Sequence, residues 1–262
     1  MFSYDFMKNA FLAVLLVSPL FGLIGTIVVN NKLAFFSDAL GHSALTGIAI
    51  GTLLGIGNPI ISMSIFSILF ALLLNSIKRS GIYSNDTIIS VFSSSSVALG
   101  LVLLSLFSSF SDYSAYLIGD ILTIKTDELI YMSIAFGVTI LYWLFCFNKL
   151  LAVSTNTSLA KSRNININLT ETFFVILIAM IVTISIKWVG ILIINSLLIL
   201  PAAASRNISK NMREYHVYSV IFSIISGLLG LTAAYYANLA AGPTIVLISA
   251  AIFFITFLLR RK

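Results

Sequence analysis

Two side chains in an otherwise apolar stretch have the types and the spacing to do chemistry together. In Phe36-Ser-Asp38-Ala-Leu-Gly-His42-Ser-Ala-Leu-Thr46-Gly, a carboxylate and an imidazole stand four residues apart. On a helix that spacing puts Asp38 and His42 on one face, one turn apart, with Cβ atoms about 6 Å from each other. A carboxylate oxygen and an imidazole nitrogen so placed can share one divalent ion. Such an ion would hold Asp38 ionised and His42 neutral. The same pair can equally serve as a structural hydrogen bond between packed helices. Either role needs a reason, because a carboxylate inside a membrane costs about 2.5–3.5 kcal/mol on insertion scales.

The remaining polar candidates are less specific. Asp112 and Asp120 fall in one connecting segment, where each can draw cations to a mouth or be a solvated loop charge. Asp86 and Glu171 stand at helix starts, which favour a carboxylate for dipole reasons alone. His216 is expected in a polar loop. Asn195 and Ser196 precede Pro201, and a proline there frees a backbone carbonyl and bends the helix. Transporters place broken helices near their sites. Small residues around the pair, from Ala39 to Gly51, allow close helix packing. No Gly-Lys-Ser/Thr occurs, so no P-loop, and no His-Glu-x-x-His zinc-protease helix. Cys146 is the single cysteine, which excludes an intrachain disulfide and a cysteine-rich metal site.

The elements that carry these residues follow from composition. Of 262 residues, 59% are apolar and 9% charged, against about 25% charged in a soluble domain. A soluble exterior could not be made from so few polar groups, and disorder is excluded by the apolar content. Long unbroken apolar runs argue against a barrel. The expected class is an all-α, polytopic helical membrane protein, a single transmembrane domain over 1–262. The spans are expected near 10–29, 38–56, 59–77, 87–107, 129–147, 170–186, 189–204, 217–236 and 243–259, about nine, or eight if the first does not cross. At about 20 residues each they use about 180 residues and leave no soluble domain. No cleavable signal peptide is expected ahead of the first run.

The net charge of +6 suits short loops under the positive-inside rule, and no basic block suggests nucleic acid. With Arg260, Arg261 and Lys262 in the cytoplasm and nine spans, twelve of the fifteen basic residues fall on that side. Only Lys8, Lys125 and Lys187 fall outside. The longest cytoplasmic loop, 148–169, has room for a short helix near 158–162. The outer segment 108–128 holds Tyr116-Leu-Ile-Gly-Asp-Ile-Leu-Thr123, too short to span and expected as an interfacial or re-entrant helix.

Several stretches together resemble a known family, the ABC-3 membrane permeases of bacterial ABC importers for zinc and manganese, sometimes iron. Members carry Leu/Phe-x-Asp-Ala-Leu-x-His-Ala-x-Leu-Pro-Gly, matched here by Phe36 to Gly47. Their acidic-Asp-Thr-Ala is matched by Asn85-Asp86-Thr87-Ile88, and their Tyr-Leu-Phe-Gly-Asp-Ile-Leu by Tyr116-Leu-Ile-Gly119-Asp120-Ile-Leu122. Their Val-Gly-x-Leu-Leu-Val-x-Ala-Leu-Leu-x-x-Pro-Ala-Ala is matched by Val189 to Ala203. The motifs run in order over nearly the whole chain.

The resemblance implies a fold similar to the vitamin B12-type importer permeases and a place in the bacterial cell membrane. It implies a homodimer with the path at its interface, two cytoplasmic ABC ATPases and an extracellular metal-binding protein. The chain would be no enzyme and would hold no permanent cofactor. Its cargo would be a divalent ion, Zn²⁺ or Mn²⁺, with Asp38 and His42 as transient ligands. Asp120 and Asn238 would lie on the outer path, Asn238 where relatives have an acid. The loop with Ser158, Leu159 and Ala160 would dock on the ATPase, without the acids of the relatives' Asp-Pro-Glu-x-Ala. The alternative is a stand-alone proton-coupled transporter of metal ions or small metabolites, with Asp38 as the proton carrier.

Overall fold

The computed structural model describes residues 4–80, 84–106, 115–124 and 126–260. Among them every regular element is helical. The order is α1 (Asp5–Asn30), α2 (Ala34–Leu53), α3 (Pro59–Ser80), α4 (Asn85–Leu106), α5 (Ala115–Ile118), a 3₁₀ turn (Ile121–Thr123), α6 (Thr126–Thr155), α7 (Thr157–Ser162), α8 (Ile167–Val189), α9 (Ile191–Ile208), α10 (Met212–Ala237) and α11 (Ala241–Leu258). Asp112 of the sequence reading lies outside the described residues.

Counted over the described residues alone, seven helices, α1, α3, α4, α6, α8, α10 and α11, are long and apolar enough to cross a membrane. The expectation of nine spans places a helix at each position, and α2 falls outside these limits for a physical reason. In α2 the Asp38 and His42 side chains dilute an otherwise apolar 20-residue helix. Helix α9 spans 18 residues, Ile191–Ile208, as many as α11, and carries Asn195 and Pro201 within its apolar run. Large apolar side chains face outward on the peripheral helices, among them Leu99, Val102 and Leu106 of α4, Leu144 and Phe145 of α6, and Phe254 and Leu258 of α11. Exposed apolar surface on this scale requires a non-aqueous surround. The chain is a multi-pass membrane protein.

Two packing groups form the body. In one, α1 lies along α10, with α9 and α11 beside them; in the other, α2 lies between α3 and α4, and α3 packs on α8. Helices in lipid associate through close backbone approach and hydrogen bonding rather than hydrophobic gain. The α1–α10 seam shows both. The Ser219 and Ser223 hydroxyls of α10 donate to the Gly22 and Ser18 carbonyls of α1, each at 2.7 Å. Contacts of α2 with α8 and α9 join the two groups.

The segment over residues 115–124 closes one end. Gly190 ends α8 and starts α9 at φ 89°, ψ 148°, a conformation open essentially to glycine. The α5–turn segment docks into that corner, and Gly119, at φ 71°, meets Gly190 backbone to backbone. The Asp120 amide donates to the Lys187 carbonyl at 3.3 Å. The segment expected as an interfacial or re-entrant helix forms a short helix and a 3₁₀ turn packed on protein. Beside it, the buried Glu128 carboxylate takes the Lys187 ammonium and the Trp188 indole N–H, the latter at 3.1 Å.

Candidate metal site on the second helix

Helix α2 starts directly after Lys32, whose left-handed backbone (φ 55°) turns the chain out of α1. Asp38 and His42 follow on one face, as their spacing requires. Asp38 Oδ2 and His42 Nε2 stand 3.6 Å apart, beyond hydrogen-bond range. Two ligands held about 2.1 Å from one ion lie about 3.4 Å apart at a tetrahedral angle and about 3.0 Å apart at an octahedral one. The observed separation is near the first value, so an ion could settle between the two atoms with little side-chain movement. Both side chains remain partly open, His42 at 28% and Asp38 at 41%. They open into a cleft of about 520 Å³ whose far wall is α4.

That wall is rich in hydroxyls. Ser90, Ser93 and Ser94 line the cleft with Asp38 and His42, between apolar residues such as Phe35 and Leu101. Among the described residues no group of three or more His, Cys, Asp or Glu side chains could hold a metal. One chain therefore offers two strong ligands, and water or hydroxyls would complete the sphere. Such a sparse set suits an ion that must bind and then leave.

Long-range polar contacts fix α2 in place. The Ser37 hydroxyl, next to Asp38, donates to Asn195 Oδ1 of α9 at 2.7 Å, with the Ala34 carbonyl a second acceptor at 2.8 Å. Farther along, Thr46 bonds Ser96 of α4 through its hydroxyl at 3.0 Å and through the Ser96 carbonyl. Asn195 thus acts as a tie to the site helix, and α9 runs as one helix through Pro201. The sequence singled out Asn195 only as part of a broken-helix pattern and gave no sign of its partner.

The other candidates are dispersed. Asp120 is exposed, and its carboxylate caps the 3₁₀ turn by accepting from the Leu122 amide at 2.9 Å. Asn238 is exposed and closes α10 in a left-handed conformation (φ 53°), a position that favours Asn. Neither lines the Asp38–His42 cleft. Ser158, Leu159 and Ala160 all lie on α7. Ser158 is exposed, but Ala160 is fully buried against Ala152 and Val153 of α6 and against Ile165 and Ile167. The small side chain of Ala160 is what lets α7 fold back on α6, so it is not available as an anchor for another subunit.

His216 differs from its expected loop position. It lies in the first turns of α10, 7% exposed, with Nδ1 2.6 Å from the Thr26 hydroxyl of α1. The charged neighbours Arg213 and Glu214 masked the start of that helix.

Comparison with known proteins agrees with the geometry. The ABC 3 transport family matches residues 3–260. The chain is 31% identical over 260 residues to the high-affinity zinc uptake system membrane protein ZnuB of Haemophilus influenzae, covering 99% of both chains. It is 30% identical over 260 residues to the manganese import system permease protein ScaB of Streptococcus parasanguinis, covering 99% of this chain and 92% of that one. The structure of PsaBC from Streptococcus pneumoniae in complex with Fab superposes with a TM-score of 0.86 at 28% identity, over 97% of this chain and 91% of that chain. An inward-facing putative metal-chelate type ABC transporter shares the fold, with a TM-score of 0.76 at 15% identity over 95% of this chain and 84% of that one. A family match over nearly the whole length, whole-chain relatives at about 30% identity and a shared helical fold converge: the chain belongs to the ABC 3 transport family.

Proposed function

We propose that this protein is the membrane-spanning permease subunit of an ATP-driven importer for a divalent transition metal, Zn²⁺ or Mn²⁺. The observation that carries the reading is the Asp38–His42 pair, 3.6 Å apart and open to a hydroxyl-lined cleft within the membrane body. Oxygen and nitrogen donors together suit either ion. The curated relatives are named as the membrane or permease component of a zinc or a manganese system. A second copy of this chain would face the first across the path, so that the sparse ligand set is doubled. ATP hydrolysis would belong to cytoplasmic partner subunits, since this chain has no P-loop. An extracellular metal-binding protein would deliver the ion.

In this reading α2 and α9 cross the membrane with the seven other apolar helices, which puts twelve of the fifteen basic residues on the cytoplasmic side. The ATPase would meet α7, and the exposed Ser158 and Lys161 are the side chains in position to touch it. A proton-coupled transporter is not favoured, because the relatives are components of multi-part import systems. The test is uptake of radioactive Mn²⁺ and Zn²⁺ by cells that depend on this chain. Asp38→Ala and His42→Ala should each abolish uptake at unchanged expression. Near-normal uptake in Asp38→Ala would remove the ligand role.

A further inference from the structure

A second opening lies between α1, α6 and α10. It is a lateral groove of about 580 Å³ lined mostly by apolar side chains. Both α6 and α10 pack along α1, whose Pro19 and Leu23 form the floor. One end lies at Leu151 and Arg213, near the end of α6 and the start of α10. The other lies at Ile140 and Ile221. At 1.5 Å per residue these limits span roughly 12–17 Å along the helices. That is the depth of one leaflet of hydrocarbon, half of a core about 30 Å thick.

The polar chemistry is gathered at one end. Arg213 is exposed there, and among the described residues no carboxylate lies within ion-pair reach of it. His216, one turn deeper, forms the adjoining wall with Trp143 and Phe147, whose rings meet the imidazole edge-on at 5.0 Å. The Thr26 hydroxyl lies 2.6 Å from both the Leu23 carbonyl and His216 Nδ1. His216 Nε2 is buried and has no hydrogen-bond partner among the described residues. A cation at the mouth and an apolar trough of leaflet depth below it repeat the order of phosphate and acyl chain in a phospholipid.

We propose that this groove holds one anionic phospholipid, its phosphate against Arg213 and one acyl chain along the trough towards Ile221. A free phosphate shares the chemistry of the mouth but leaves the trough unfilled, and the test separates the two.

Trp143 lines the groove, and the only other tryptophan, Trp188, is 1% exposed, so it serves as an internal reference. The full chain is reconstituted in phosphatidylcholine vesicles containing a minor fraction of phosphatidylglycerol. Acyl-chain bromine is carried by one lipid and then, in a second preparation, by the same mole fraction of the other. Brominated phosphatidylglycerol should quench Trp143 about fivefold beyond its share of the lipid, the equivalent of about 1 kcal/mol for one basic side chain at an anionic surface. Arg213→Gln should return quenching to that share, and Ile221→Phe, which narrows the trough, should reduce it. Glycerol phosphate added to the medium should displace nothing. Quenching in proportion to mole fraction for both lipids, unchanged by Arg213→Gln, would overturn the proposal. So would displacement by glycerol phosphate, which would make the site one for soluble anions. Absence of quenching by either lipid would show that protein, such as a second copy, covers the groove, and would equally overturn it.

Discussion

Replacing Gly190 by alanine probes the corner that joins α8 to α9 and holds the segment over residues 115–124 in place. Two costs add. The backbone at φ 89°, ψ 148° is one that a residue with a Cβ adopts only at about 1–3 kcal/mol. The new Cβ would also lie 2.2 Å from the Ile118 carbonyl oxygen and 2.3 Å from its carbon. Those are backbone atoms, so rotamer changes give no relief, and the α5 segment must move away. Overpacking of this kind costs about 1–3 kcal/mol more. The sum, about 2–6 kcal/mol, is large for one residue. The reporter is close by, since Trp188 two residues earlier donates its indole N–H to Glu128. Thermal unfolding in detergent, followed by tryptophan emission, should show a lower midpoint and a red-shifted native spectrum for Gly190→Ala. Gly137→Ala is the control, because a Cβ at Gly137 meets nothing within 4 Å. It should change stability by less than about 1 kcal/mol. If Gly190→Ala melts and emits like the parent, the backbone-to-backbone docking of Gly119 on Gly190 is wrong.

Two further outcomes concern α7 and the turn before it. Ala160→Arg should weaken the α6–α7 joint itself, since an unpaired buried charge costs several kcal/mol. It should lower thermal stability in the isolated chain, whereas Ser158→Arg should leave stability intact and reduce ATPase co-purification; the reverse pattern would place α7 the other way round. A cysteine at Asn156 should react with an impermeant thiol reagent only in inverted vesicles, because the basic residues gather on that side; labelling in intact cells would invert the topology.

The closeness of Asp38 and His42 was legible because its geometry is local. Four residues of helix suffice to put Asp38 and His42 together, whatever the rest of the chain does. The apolar runs likewise located the helices, since backbone groups in lipid must be satisfied within each segment. What escaped the sequence is long-range pairing. Ser37 and Asn195 are 158 residues apart, Thr46 and Ser96 are 50 apart, and Thr26 and His216 are 190 apart. No periodicity links such partners. His216 was also placed in a loop because the charges of Arg213 and Glu214 hide the apolar pattern of the first turn of α10. Ala160 failed for another reason. Six residues of α7 are too few for a helical face to show which side is inward, and a buried alanine looks like an exposed one in a sequence. The Gly119–Gly190 contact was half visible, as two glycines in separate motifs, but only the fold brings them together.

The central claim is that Asp38 and His42 hold the transported ion. The most direct measurement is anomalous scattering from crystals of the chain grown with Mn²⁺ or Zn²⁺. The account predicts a peak within about 2.0–2.2 Å of Asp38 Oδ2 and His42 Nε2, lost in Asp38→Ala and in His42→Ala. A well-occupied peak elsewhere in the membrane body, retained in both variants, would contradict it.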